Sequence, residues 1–310
     1  MKHLVLESGY YRELQKEYAR YLERLGYDEI TTRSLPSLIR EFFYYLEGNN
    51  INALGDAGPK EMRAYYNYLK ERPNTRHEGT LSESMISTHI WAIRILMDWL
   101  QAEGKLETNP MSMLRFPKPR HREREVLTRK EIDLLYEGCS DYFDRSVISL
   151  FYGCGLRKSE GQDLNIRDID YRNKLLYVRS GKGKRRRVVP LAEQVVRDLK
   201  DYYYMERPCR LRKSKSAGKQ KQQAFMLNRL GERVKGSVLW RALRRVVRDT
   251  GIKDPQRISL HSLRHSIATH LLDSGLSVEQ VRDFLGHAHL ESTQIYTRVN
   301  SKRINDTGSK

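Results

Sequence analysis

Arg157, Lys182, His261, Arg264, His287 and Tyr296 stand in that order along the second half of the chain. Between them they carry the functional groups that exchange at a phosphodiester requires. Attack on phosphorus by a side chain makes three demands. The nucleophile must be aligned, the phosphorane needs fixed positive donors, and the departing 5′-oxygen needs a proton. A tyrosine hydroxyl can be the nucleophile, but its pKa near 10 makes it weak at neutral pH unless cations or a base surround it. Arginines keep their charge, and their planar forks hold two phosphate oxygens at once. A lysine and two histidines can move the protons. The implied chemistry is cutting and rejoining of a nucleic-acid backbone through a phosphotyrosine bond.

The local settings suit these tasks. Arg157, in GCGLRKSE, follows a glycine turn and is placed to open a helix, whose free backbone N–H groups add to anion binding. Lys182 lies in SGKGKR, between two β-type runs at Lys174–Arg179 and Arg187–Leu191 that read as a hairpin. His261 and Arg264, in LHSLRH, are spaced to share one helix face, with Leu263, Ile267 and Leu271 burying the other. His287 follows Gly286 just after a helix, and Tyr296 falls in a short helix around Ser292–Arg298. Each residue also has an ordinary reading. Tyr296 is one of 19 tyrosines, so alone it is a packing residue. His261 alone is a helix cap or a partly buried histidine, Arg157 with Glu160 a surface ion pair, and Lys182 one solvated cation among Arg179, Lys184, Arg185, Arg186 and Arg187. Holding all six ordinary readings at once is much harder.

The chain that must position these residues has 310 of them, enough for one large core or two modest ones. Its 57 Lys and Arg against 39 Asp and Glu leave a net charge of +18, which favours a polyanion as partner, nucleic acid ahead of an anionic membrane. The three cysteines, Cys139, Cys154 and Cys209, form no CxxC pair. A disulfide framework or cysteine zinc site is not expected, no metal cluster is apparent, and a reducing cytoplasm fits. No apolar run approaches the ~20 residues of a membrane span, and the N-terminal apolar stretch is too short for a signal-peptide core.

Periodicity divides the chain. Leu14, Tyr18, Tyr21 and Leu25, then Leu35, Leu38, Phe42 and Leu46, then Met62, Tyr65 and Leu69 recur at helical spacing. A fourth helix starts at Ser82, a good N-cap, with Ile86, Ile90, Ile93, Leu96 and Leu100 as its stripe. Four such helices close a small bundle over residues 1–112. The stretch NPMSMLRFPKPRHREREV, with three prolines and a run of charge, reads as a linker, taken as 113–126. A second domain, 127–310, opens on a capping box, Thr128 with Glu131. Val147, Leu150 and Phe151 mark a helix ending near Gly153 and Gly155. Helices are expected at Val238–Arg248, Leu260–Ser274 and Ser277–Leu285, the last opened by the Ser277–Gln280 box. Residues 207–223, with seven Lys or Arg and no acid, read as a surface loop. The fold class is mainly α, with a mixed α+β second domain carrying a small antiparallel sheet.

The segments GLRKSE, GKGKRRRVVPL, LHSLRHSIATHLL and VRDFLGHAHLESTQIYTRV resemble the tyrosine recombinase (integrase) family, closest in size and layout to Xer-type recombinases. The catalytic motifs are highly specific, and the N-terminal likeness, carried by IWAIRILMDWLQAEGKLETNP, is weaker. The resemblance implies a helical, SAM-like core-binding domain, a linker and a catalytic domain. It implies that Arg157 and Arg264 hold the scissile phosphate and that Lys182 is the general acid. His261 would be the acid–base partner and His287 a phosphate contact, with Tyr296 forming the 3′-phosphotyrosine and Glu160 orienting the site. It implies no cofactor. The substrate would be duplex DNA sites, bound by a dimer per site and a tetramer in the synapse, with exchange through a Holliday junction, and an accessory or partner recombinase is compatible with it.

In such proteins the second and fourth N-terminal helices enter the major groove. These are 32–47 and 82–103 here, making Arg33, Arg40, Ser87, Thr88 and Arg94 candidate contacts. Arg241, Arg244, Arg245 and Arg248 are expected to form one basic helix face against DNA. Two other readings stay open: a type IB topoisomerase-like nicking and rejoining enzyme, and a DNA-binding relative without catalysis. The sequence also departs from the family: the 207–223 insertion is long, and the tail after Tyr296 is short and polar.

Overall fold

The structure is a computed structural model that describes residues 4–75, 78–119, 126–179, 187–214 and 223–286. The chain separates into two compact units, 1–122 and 123–310.

The first unit is helical: α1 (Gly9–Arg24), α2 (Glu29–Gly48), α3 (Pro59–Glu71) and α4 (Glu83–Ala102). Their starts follow local chemistry. Ser8, Asp28 and Ser82 each accept a hydrogen bond from a first-turn backbone N–H, and Pro59 occupies the first helical position, where no N–H is needed. Tyr11, Leu14, Tyr18 and Leu22 bury one stripe of α1, and Ile86, Ile90, Ile93, Leu96 and Leu100 line the buried face of α4. The core is rich in aromatics, and two buried tyrosines anchor their hydroxyls on the backbone: Tyr11 donates to the Ile51 carbonyl at 2.9 Å and Tyr18 to that of Ala92 at 3.1 Å. Met111 and Leu114 are buried in this same core, so the proline-rich stretch begins as packed structure rather than as a solvated linker.

The second unit surrounds α11 (Leu260–Asp273). Around it lie α5 (Arg129–Glu137), α6 (Tyr142–Ile148), α7 (Lys158–Asp163), α8 (Glu193–Asp201), α9 (Arg207–Leu211), α10 (Gly236–Arg248) and α12 (Val278–Leu285). Capping boxes open α5 and α12 as their sequences predict, Thr128 with Glu131 and Ser277 with Gln280. A small antiparallel sheet runs in the order β1 (Ile169–Asp170), β2 (Leu175–Val178), β3 (Arg187–Pro190), with Leu175 opposite Pro190 and Val178 opposite Arg187. The two expected strand runs are therefore paired, and the expected turn around Lys182, residues 180–186, lies outside the described residues.

Three details depart from the sequence reading. The helix holding Val147 does not end as an ordinary helix but passes into a π-helical stretch, Ser149–Gly153. Helix α11 has no simple apolar face: Leu263 is buried but Ile267 and Leu271 only partly, while Arg264, His265, Ser266, Thr269 and His270 are buried with it. The start of the basic 207–223 segment is helix α9, because Arg207 turns inward and its guanidinium donates to the Ala224 and Phe225 carbonyls. Residues 215–222 lie outside the described residues.

Candidate active site

Glu160 is the centre on which the described site residues converge. The chain reaches it by a forced path. After the π-helical stretch, Gly155 adopts the left-handed backbone (φ +58°), which an L side chain resists. The chain then extends through Leu156 to Arg157, the N-cap of α7. Glu160 sits at the third position of that helix and accepts the Arg157 backbone N–H at 2.8 Å, which sets the helix start.

The same carboxylate takes three more hydrogen bonds. The Arg157 guanidinium donates to it at 2.7 Å, and Arg187, at the head of β3, grips both oxygens at 2.9 and 2.8 Å. Arg264 lies 3.7 Å away. Burial pushes the Glu160 carboxyl up, but the Arg187 guanidinium and the Arg157 bonds outweigh that, leaving it at about 2. The group is therefore a fixed anion at any working pH.

The C-terminus of α12 supplies a second set of acceptors. Arg187 donates to the Phe284 carbonyl at 2.9 Å, Arg264 to that of Leu285 at 2.6 Å, and Arg157 to that of Gly286 at 3.2 Å. Arg264 also donates to the Gly155 carbonyl. Three consecutive carbonyls at the negative end of a helix thus each receive a different guanidinium. One carboxylate and a helix end hold three cations together, and a surplus of positive charge remains to meet an anion. Arg157 is a quarter exposed, and Arg264 is buried beneath it in the same cluster.

Of the six residues that the sequence singles out, the structure brings Arg157 and Arg264 together. His261 is exposed in the first turn of α11, one turn ahead of Arg264. Lys182, His287 and Tyr296 lie outside the described residues, as does the short helix expected around Ser292–Arg298. Glu160 is where its spacing from Arg157 places it, buried rather than on a surface. Sequence reasoning missed Arg187. It stands third in Arg185–Arg186–Arg187, and only the strand register shows which arginine of a run turns inward.

The other candidate contacts are mixed. Arg241 and Arg248 are exposed on α10. Arg244 donates to the Pro255 carbonyl at 2.6 Å, and Arg245 is paired with the buried Asp144. The four do not form one uniform open face. In the first unit Arg33 pairs with Glu29 on the surface, Arg40 donates to Gln15, and Thr88 bonds the Ser84 carbonyl. Ser87 and Arg94 line a groove of about 510 Å³ with Tyr66, Trp91 and Phe116. Among the described residues no cluster of His, Cys, Asp or Glu could hold a metal ion, and no helix is long and apolar enough to cross a membrane.

The profile of the phage integrase family matches residues 125–303. The chain belongs to that family, the tyrosine recombinases. The tyrosine recombinase XerC of Natranaerobius thermophilus is 32% identical over 255 residues, 81% of each chain. That of Bacillus subtilis is 31% identical over 301 residues, covering 94% of this chain and 93% of its own. Among solved structures, the Tn1549 transposon integrase in complex with a circular intermediate DNA matches with a TM-score of 0.72 at 17% identity, over 94% of this chain and 99% of that one. The XerH recombinase bound to a palindromic difH substrate matches with a TM-score of 0.71 at 19% identity, over 96% and 84%. This tyrosine recombinase therefore shares its fold across both units with such proteins.

Proposed function

We propose that this chain is a site-specific recombinase that breaks and rejoins duplex DNA through a 3′-phosphotyrosine. The observation that carries the reading is the convergence of Arg157 and Arg264, from distant parts of the chain, on the single buried carboxylate of Glu160. Two cations fixed beforehand need little reorganisation when the phosphorane develops its extra charge.

The Tyr296 hydroxyl oxygen attacks phosphorus while its proton passes to His261. The bond to the 5′-oxygen breaks, and that oxygen takes a proton from Lys182. Arg157, Arg264 and His287 hold the non-bridging oxygens. The phosphotyrosine retains the energy of the broken bond, so attack by a 5′-hydroxyl reverses the step without a nucleotide. The likeness to recombinases solved with DNA supports duplex sites as substrate. A dimer on each site, a tetramer in the synapse and a Holliday junction between them follow from the family pattern. The place of action is then the cytoplasm, on the nucleoid.

Trapping the covalent adduct tests this. The full-length protein is incubated with nicked genomic fragments and denatured, and DNA-linked protein is recovered and mapped. An adduct on Tyr296 that is absent from Tyr296→Phe is the expected result, and the attached DNA identifies the site. DNA binding with no adduct on any fragment would favour a relative without catalysis. An adduct that relaxes plasmids without joining paired sites would favour a topoisomerase-like enzyme.

A further inference from the structure

We propose that Arg187 is a positioning residue for strand cleavage. It fixes the orientation of Glu160 between the two phosphate-binding arginines and ties β3 to the C-terminus of α12. The proposal rests on the reading that Arg157 and Arg264 hold the phosphate.

Three observations carry it. First, Arg187 is only 6% exposed, and three of its donors are committed inward, two to the oxygens of Glu160 and one to the Phe284 carbonyl. Each of its three guanidinium nitrogens thus already donates to a protein acceptor. Second, its planar fork meets the carboxylate with two parallel bonds, which fixes the plane of the carboxylate, and a lysine's point charge cannot do that. That plane decides where the Arg157 guanidinium sits, because Arg157 binds the oxygen opposite the one its own backbone uses. Third, Arg187 joins two chain segments that lead to proposed catalytic groups. It opens β3, shortly after Lys182 in sequence, and it bonds the helix end that immediately precedes His287.

Gly286 offers an independent handle on the same contact. It stands in the left-handed conformation (φ +64°), and a Cβ there would lie 2.8 Å from Cδ of Arg187, which its three bonds prevent from moving aside. Glycine at this position is thus required both by the backbone and by the seat of Arg187.

The charged groups around Glu160 are few. Arg157 faces it from α7, Arg187 from β3 and Arg264 from α11, and Asp163, Asp168 and Arg179 line the small cavity beside it. Removing Arg187 takes away the one cation that grips both carboxylate oxygens.

The experiment compares wild type, Arg187→Gln, Arg187→Lys and Gly286→Ala as full-length proteins. The probe is the nicked duplex that wild type converts to adduct, with Tyr296→Phe as the blank. Single-turnover adduct formation at saturating DNA is expected to fall ~10²-fold in Arg187→Gln, while Kd for the same duplex stays within ~3-fold. Arg187→Lys should recover only part of the rate, and Gly286→Ala should slow cleavage in the same manner. A carbon-13 NMR titration of the Glu160 carboxyl, without DNA, should show a pKa at least ~1 unit higher in Arg187→Gln and near the wild-type value in Arg187→Lys.

A cleavage rate within ~3-fold of wild type, or a parallel loss of rate and affinity, would overturn the positioning role. So would an unchanged Glu160 titration. If Arg187→Gln does not fold, Arg187→Lys and Gly286→Ala decide by the rate and affinity criteria alone. If wild type forms no adduct on any DNA, the functional reading fails, and the Glu160 titration still decides whether Arg187 sets that carboxylate.

Discussion

At the scale of single residues, Glu160 holds the most consequence. Its carboxyl is buried, which disfavours charge, yet it stays ionised because Arg187 and Arg157 surround it. A pKa depressed in the fold is a stability statement with a definite sign. Between the usual carboxylate range and about 2 the unfolded chain binds the proton and the folded one does not, so folding weakens as pH falls through that window. Above it, the depression corresponds to about 3 kcal/mol. Glu160→Gln is therefore expected to unfold more easily at neutral pH by a few kcal/mol, with the gap to wild type narrowing towards pH 2. Urea melts of both proteins across that range check it. A gap independent of pH would mean that packing, rather than charge, holds the carboxylate's place. The same variant should cleave more slowly, since Arg157 and Arg264 would repel one another with no anion between them.

At the scale of elements, the π-helical stretch Ser149–Gly153 sets the approach to Arg157, and a buried network supports it. Asp198 of α8 accepts from Arg145 at 2.8 Å, from Gln194 at 2.7 Å and from the Ser149 hydroxyl, while Tyr136 bonds Ser149 in turn. Asp198→Ala leaves these donors facing a void and should cost about 3 kcal/mol, allowing for the partial exposure of Arg145. Chemical denaturation measures that cost, and a loss under about 1 kcal/mol would show that the network does not support the stretch. None of this was legible in the sequence. Ser82, Thr128 and Ser277 announce their helices because a cap is decided by neighbours three residues away. Arg157 with Glu160 and His261 with Arg264 were legible for the same reason, since helical spacing is local. The inward turn of Arg187, the burial of His270 against Tyr152 and the helix at Arg207–Leu211 were not, because each depends on a partner distant in sequence. The spacing of Arg245 from Arg241 and Arg248 suggested one open basic face, but Asp144, about a hundred residues earlier, draws Arg245 inward.

At the scale of the whole molecule, a net charge of +18 says how binding should depend on salt. Each phosphate neutralised by a lysine or arginine releases a condensed counterion, so log K falls against log salt with a slope near −0.9 per contact on duplex DNA. The structure commits many of the cations internally: Arg187 and Arg264 in the site, Arg207 on carbonyls, Arg245 on Asp144. The slope should therefore reflect far fewer contacts than the charge suggests, on the order of 6–10. Anisotropy titrations with a short duplex from 50 to 300 mM salt, about the range over which such contacts lose their affinity, measure it. Arg241→Ala and Arg248→Ala, exposed on α10, should each lower the slope by about one if they meet phosphates, whereas Arg245→Ala should act first on folding, because it leaves Asp144 buried without its cation. A slope unchanged by Arg241→Ala and Arg248→Ala together would remove the exposed arginines of α10 from the DNA-binding surface. The basic face would then have to be sought elsewhere, beginning with Lys70, Arg94 and Lys118 around the groove of the first unit.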